Sequence, residues 1–296
     1  MISTFLAVMR SALLWLPLIV GAAPCAFAQS VPPAIFTDPP ADPAHPAAMT
    51  VLHIPSHGLL INGLVYSPAG AGVHPTLLIC HGLPGNEKNL DLAQAVRRAG
   101  WNAVTFNYRG SWGSPGSFRF AQNLQDADAV LAYLRDPPNA AKLGIDPKRI
   151  AIAGHSMGGW VVAHAASHDH ALMGAILISM ADMGLTGARP RAQAVAAMAD
   201  DMETLADVTA ESMVDELAAH AKEFVVSGTA AGLAQIPVLA ITSNDHLASQ
   251  TDALVAAIKA KGGTKVAAMH LDTDHGYSDR RIALESIVIT WLSGLN

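Results

Sequence analysis

Two periodicities alternate along the 296-residue chain. Short apolar runs of strand length stand at 49–54 (MTVLHI), 59–66 (LLINGLVY), 76–81 (TLLICH), 102–108 (NAVTFNY), 149–154 (RIAIAG), 174–179 (GAILIS), 237–243 (PVLAITS) and 265–272 (KVAAMHLD). The later runs are continuously apolar, the pattern of strands covered on both faces. Between the runs lie helical patterns: NLDLAQAVRRAG closed by Gly100, NLQDADAVLAYLRD broken by Pro137 and Pro138, and TDALVAAIKAKGG closed by glycines. Strand, helix, strand in repetition predicts an α/β fold, a mostly parallel eight-stranded sheet with helices on both faces.

Three segments break that order. Residues 183–234 are Ala-rich and helical with no strand, which predicts a small helical lid inserted into the domain. Met180, Met183, Met198, Met202 and Met213 lie in or beside it, either lining an adaptable apolar pocket or packing the lid onto the sheet. Residues 29–48 form a Pro-rich leader, with six prolines between Gln29 and Pro46 that bar regular hydrogen-bonded structure. Residues 1–28 have the form of a signal peptide: Arg10, the apolar stretch SALLWLPLIVGAA, and small Ala26 and Ala28 before a cleavage point. Pro17 and Pro24 interrupt a stretch too short to span a bilayer comfortably, so stable membrane insertion is not expected. The expected product is exported, with the periplasm as first choice, and its domain covers 49–296.

Composition narrows the function. The chain is 51% hydrophobic and 14% charged, enough apolar material for one large core or two small ones, with a single domain the expected case. A net charge of −6 without a basic stripe argues against a nucleic-acid partner or an electrostatically held membrane surface, and favours small neutral or weakly polar ligands. Cleavage would leave Cys80 as the sole cysteine, so no internal disulfide is expected.

Candidate chemistry begins at residues 152–160, IAGHSMGGW. Gly154, Ser156 and Gly158 give G-x-S-x-G between a predicted strand and a predicted helix, where a sharp turn lifts a serine hydroxyl clear of the sheet. A serine needs a base to take its proton, and the base needs a carboxylate to hold its tautomer. Asp245 ends the run PVLAITSND and His275 follows the run KVAAMHLDTD, each at the carboxyl end of its strand, the edge where sites of open parallel sheets gather.

With HGLPGN after the third strand, NYRGSWGSPGS after the fourth, GHSMGG after the fifth, SNDH after the seventh and DHGYSD after the eighth, the chain resembles the α/β-hydrolase superfamily from about residue 49 to 296. Within it, the chain is most similar to secreted relatives of dienelactone hydrolases and of the prolyl oligopeptidase catalytic domain. The resemblance implies that Ser156 attacks a carbonyl, His275 shuttles the proton and Asp245 orients the imidazole. It also places the oxyanion donors on the backbone amides of Met157 and Leu83, with Gly82 and Gly85 letting the loop bend inward. The implied reaction is hydrolysis of a carboxylic-ester-type bond in a small molecule through an acyl-enzyme, with no cofactor. Two alternatives stand beside it, a serine peptidase acting on short peptides and a non-catalytic binding protein of the same fold.

Several residues compete for roles. Asp182, after the sixth strand, is the rival to Asp245, because some α/β-hydrolases place their acid there. Asp272 and Asp274 are expected to shape the His275 loop, His246 to make a local polar contact, and His155 to shape the turn. His81 is expected to make a structural hydrogen bond, and Arg109, beside Trp112, to brace its loop rather than meet a substrate carboxylate. His164, His168 and His170 are expected on a helix surface and hold no metal motif, since the H-E-x-x-H glutamate is absent.

Overall fold

The structure, a computed structural model, describes residues 31–295, and the expected signal peptide lies outside them. β1 (Ala48–Ser56) and β2 (Leu59–Ser67) pair antiparallel across a tight turn at His57 and Gly58, where both residues take positive φ. β3 (His74–Cys80), β4 (Asn102–Phe106), β5 (Ile145–His155), β6 (Ala175–Ile178), β7 (Val238–Thr242) and β8 (Val266–His270) complete one eight-stranded sheet in the order β1-β2-β4-β3-β5-β6-β7-β8. β2 meets β4 antiparallel, and all later pairings are parallel. All eight predicted strands are present.

The period of two within each strand divides the core. Leu78, Cys80, Ile150 and Ile152 face one layer with α2 (Phe120–Arg135), α3 (Pro137–Leu143), α4 (Met157–His168) and α10 (Ala248–Ala260). Leu77, Ile79, Ala151 and Ala153 face the other, built from α1 (Leu90–Arg98) and α11 (Arg281–Ser293). In the leader, Pro33–Ile35 forms a single 3-10 turn whose Ala34 and Ile35 carbonyls accept from the Arg98 guanidinium, strapping it to the second layer. Among the described residues no helix is long and apolar enough to cross a membrane.

The structure corrects one expectation and adds detail to two others. β8 is not covered on both faces: its residues run from half-buried to exposed because it is the sheet's edge, paired only to β7. Pro137 and Pro138 do not only break a helix but also begin α3, where a missing N–H costs nothing, under the Asp136 side chain that accepts from Asn139 N. The segment 183–234 forms α5 (Met183–Gly187), α6 (Arg191–Ala199), α7 (Ala210–Ala219), α8 (Ala221–Phe224) and α9 (Ala230–Leu233) between β6 and β7. Its Met183, Met198 and Met213 are buried in the α2/α4 layer, so these methionines pack the insertion onto the domain.

Candidate active site

The chain turns from β5 into α4 through one residue. Ser156 sits at φ 57° and ψ −122°, a conformation that a side chain rarely adopts and that the surrounding packing must hold. A Cβ on Gly154 would overlap the Gly158 carbonyl, and one on Gly158 would overlap the Cys80 carbonyl of β3, so only glycine lets strand, turn and helix approach this closely. Ser156 N donates to Ile178 O at 2.9 Å and Ser156 O accepts from Ala181 N at 3.1 Å, tying the turn to the end of β6.

His275, on the loop between β8 and α11, places Nδ1 2.7 Å from Asp245 Oδ2. The Asp245 side chain is only 2% exposed, and its Oδ1 accepts from Leu247 N at 2.9 Å. Burial opposes its ionisation, but the hydrogen bond from His275, the Ser179 and Ser243 hydroxyls and the Leu247 amide outweigh burial and hold the carboxyl well below the usual range. An ionised Asp245 fixes the proton of neutral His275 on Nδ1 and leaves Nε2 with a lone pair. Asp182 is turned elsewhere. Its Oδ1 caps α5 by accepting from Gly184 N (2.9 Å) and Leu185 N (3.2 Å), and its Oδ2 accepts from Val226 N (3.2 Å).

His155 does more than shape the turn. Its Nε2–H donates to the His275 carbonyl at 2.8 Å, with the two rings 4.5 Å apart. Burial, and then the neighbouring His275, push its pKa down to about 4, so it stays neutral and keeps this bond. Tyr277, whose hydroxyl reaches Ser179 and the Ile241 carbonyl, anchors the same loop from the other side.

Ser156 and His275 line one cleft of about 200 Å³ together with Leu83 and its loop, without a direct hydrogen bond between them. Such contacts commonly tighten only with substrate bound. Among the described residues the Leu83 and Met157 N–H groups have no acceptor. Gly85, at φ 94°, leaves the space that the buried His81 ring fills, and His81 Nδ1 donates to Gly82 O at 2.8 Å. The Pro84 carbonyl accepts from Trp112 Nε1 at 2.7 Å and from Thr204 Oγ1 at 3.3 Å, while Ala206 N donates to Gly110 O and Trp112 N to Thr204 O. The insertion thus grips the Leu83 loop. The Thr204 contact left no sequence signal, and the Trp112 contact left only a tryptophan within a Gly-rich loop.

The remaining candidates are structural. Arg109, nearly buried, pairs with fully buried Asp126 at 2.6 Å, and Asp126 also accepts from Ser56 Oγ and Arg109 N. Burial pushes the Cys80 thiol up to about 12, which leaves it inert as a nucleophile. His164 is not a surface residue: it is largely buried and, with Trp160 Nε1, points to the Phe224 carbonyl, pinning α8. His168 pairs with Asp128 on the surface. Asp274 caps the His275 loop by accepting from Ser278 N. No group of three metal-ligating side chains occurs among the described residues.

A sequence profile described as the alpha/beta hydrolase family matches residues 77–283. Among curated relatives, an uncharacterised protein of Mycobacterium tuberculosis is 30% identical over 121 residues, covering 40% of this chain and 41% of that protein. The match therefore spans about two fifths of that relative's length. Among solved structures, the acylaminoacyl peptidase of Pyrococcus horikoshii superposes with a TM-score of 0.63 at 19% identity, over 83% of this chain and 41% of that one. An esterase of Pyrobaculum calidifontis superposes with a TM-score of 0.61 at 19% identity, over 85% and 87%. At such identities the superpositions speak for the fold, while the profile covers more than half of the sequence: the chain belongs to the alpha/beta hydrolase family.

Proposed function

We propose that the protein is an exported serine hydrolase that cleaves carboxylic-ester-type bonds through an acyl-enzyme. The observation that carries this reading is His275 bonded to buried Asp245 in the same cleft as Ser156, which stands on a positive-φ turn. His275 Nε2 takes the Ser156 proton as Oγ attacks the carbonyl, and Asp245 stabilises the imidazolium that forms. The Leu83 and Met157 amides receive the oxyanion where its charge develops. The tetrahedral adduct collapses, His275 Nε2–H protonates the departing alkoxide, and water activated by the same nitrogen then releases the acid.

A fluorophosphonate probe should label Ser156, and Ser156→Ala should abolish both labelling and p-nitrophenyl ester hydrolysis. No labelling of the native protein would favour the binding-protein reading. One observation favours a peptidase: half-buried Asp201, on the insertion, lies within the field of His275, and burial and the neighbouring Asp200 push its carboxyl up to about 6. A carboxylate short of a partner suits a substrate ammonium group. Faster turnover of amino-acyl anilides than of matched esters would move the assignment to that class. Export is tested by the mature N-terminus, expected at Gln29.

A further inference from the structure

A second cavity, of about 230 Å³, lies at the carboxyl ends of β3 and β4, with His81 and Lys88 from either end of the loop that carries Leu83 in its lining. It shares no lining residue with the Ser156 cleft. Its walls are mainly apolar, from Val51, Leu64, Ile79, Leu90 and Phe106, and Val51 and Leu90 stay more than two fifths exposed although both are large and hydrophobic. Lys88 lines the same cavity. Its Nζ donates to Asn107 Oδ1 at 3.1 Å and stands 3.8 Å from the centre of the Trp112 ring, so the ammonium is held in place rather than sweeping through solvent.

An ammonium has three protons to give, and Asn107 and the indole face use two. Among the described residues Lys88 forms no ion pair with a carboxylate. Its neighbours at the loop end are engaged elsewhere: Glu87 Oε1 accepts from Asn89 N, and Asp91 pairs with Arg281. Burial alone pushes Lys88 down to about 8, with no anion to restore it. A fixed, half-buried cation at one end of an apolar hollow lacks two things, a counter-charge and a hydrocarbon body.

We propose that this cavity is a binding site for a small amphiphilic monocarboxylate, with its carboxylate on Lys88 Nζ and its chain against Leu64, Leu90 and Phe106. The hollow is large enough for a chain of several carbons, and the apolar surface it covers supplies affinity that a surface ion pair alone would not. Monocarboxylates are also the acids released by the reaction proposed above, but the site stands on its own residues and does not depend on that reading.

Octanoate is the probe, titrated into the wild-type protein by calorimetry with Ser156 free and again after fluorophosphonate treatment. Saturable one-to-one binding is expected in both, with nuclear Overhauser contacts from octanoate to the Val51 and Leu64 methyls. Lys88→Met and Leu64→Trp, the first removing the charge and the second filling the hollow, should each weaken binding about tenfold, equivalent to ~1.4 kcal/mol. 1-Octanol, which keeps the chain and lacks the charge, should bind more weakly than octanoate. Contacts to His275 in place of Leu64, no saturation at millimolar octanoate, or undiminished binding by either folded variant overturns the assignment. If a variant fails to fold, as judged by circular dichroism, the contacts in the wild-type protein decide. A loss of labelling at Ser156 with octanoate binding intact would sink the proposed hydrolase and leave this site standing.

Discussion

His155 Nε2 donates to the main-chain carbonyl of His275 across 2.8 Å, so the residue that precedes Ser156 also holds the loop that bears His275. Two parts of the site 120 positions apart in sequence are thereby fixed to each other by one hydrogen bond.

His155 is therefore expected to act as a positioning residue. His155→Ala should lower kcat about 10- to 100-fold with little change in KM, since displacing a reacting group by about 1 Å has that order of cost. His155→Gln, whose amide retains a donor, should recover part of the loss. A rise in KM with kcat unchanged would contradict this role.

Asp245 and Asp182 are separable by what each variant changes. Asp245→Asn should drop kcat by about 10⁴ with the fold intact, because a neutral amide no longer selects the productive tautomer. Asp182→Ala should leave kcat near wild type and lower stability by about 1–3 kcal/mol, because it strands buried amides at the start of α5. Ester turnover and urea denaturation of both variants read the two effects, and the reverse outcome would exchange their roles.

Arg109→Met should destabilise the protein by about 3–5 kcal/mol in chemical denaturation, because it leaves the Asp126 carboxylate buried and uncompensated. The KM for ester substrates of folded protein should stay within about twofold, since truncating a residue away from substrate removes no binding contact. A large, selective effect on KM for anionic substrates would return Arg109 to the substrate site.

Stability should fall on mild acidification. Burial depresses both His81 and His155 to about 4 in the folded state, against about 6.5 for an unfolded histidine. The unfolded chain therefore binds more protons below that value, and the stability present above about pH 6.5 is lost as pH falls towards about 4. Two such groups give a slope of about 2.4 kcal/mol per pH unit midway through this window. Denaturation midpoints at pH 7, 6, 5 and 4 should follow this fall, and His155→Gln should flatten it. A pH-independent midpoint over that range would refute it.

Local chemistry explains what the sequence disclosed. β3 to β7 were legible because strands with two buried faces must be continuously apolar, and Gly154 and Gly158 because their positions admit no Cβ. α11 escaped because RIALESIVITWLS blurs its own pattern: Ile282 is exposed and Glu285 buried, and the outer face is otherwise marked only by the short uncharged side chains of Thr290 and Ser293. Asp182 and Asp245 were harder to separate, since each follows a strand at the same sheet edge and only side-chain direction distinguishes them. His155 as a link to His275, and Thr204 as a partner of Pro84, are contacts between distant segments with no periodicity to announce them.

The carbonyl of Pro84 has two owners, Trp112 from the domain and Thr204 from the helical insertion. Segment 183–234 is thus no interchangeable cassette. A homologous insertion grafted in its place would remove one of the two hands on the loop that carries Leu83. Any exchange of this segment has to carry residues 204–206 and 110–112 as a matched pair, so that the Leu83 loop keeps both of its anchors.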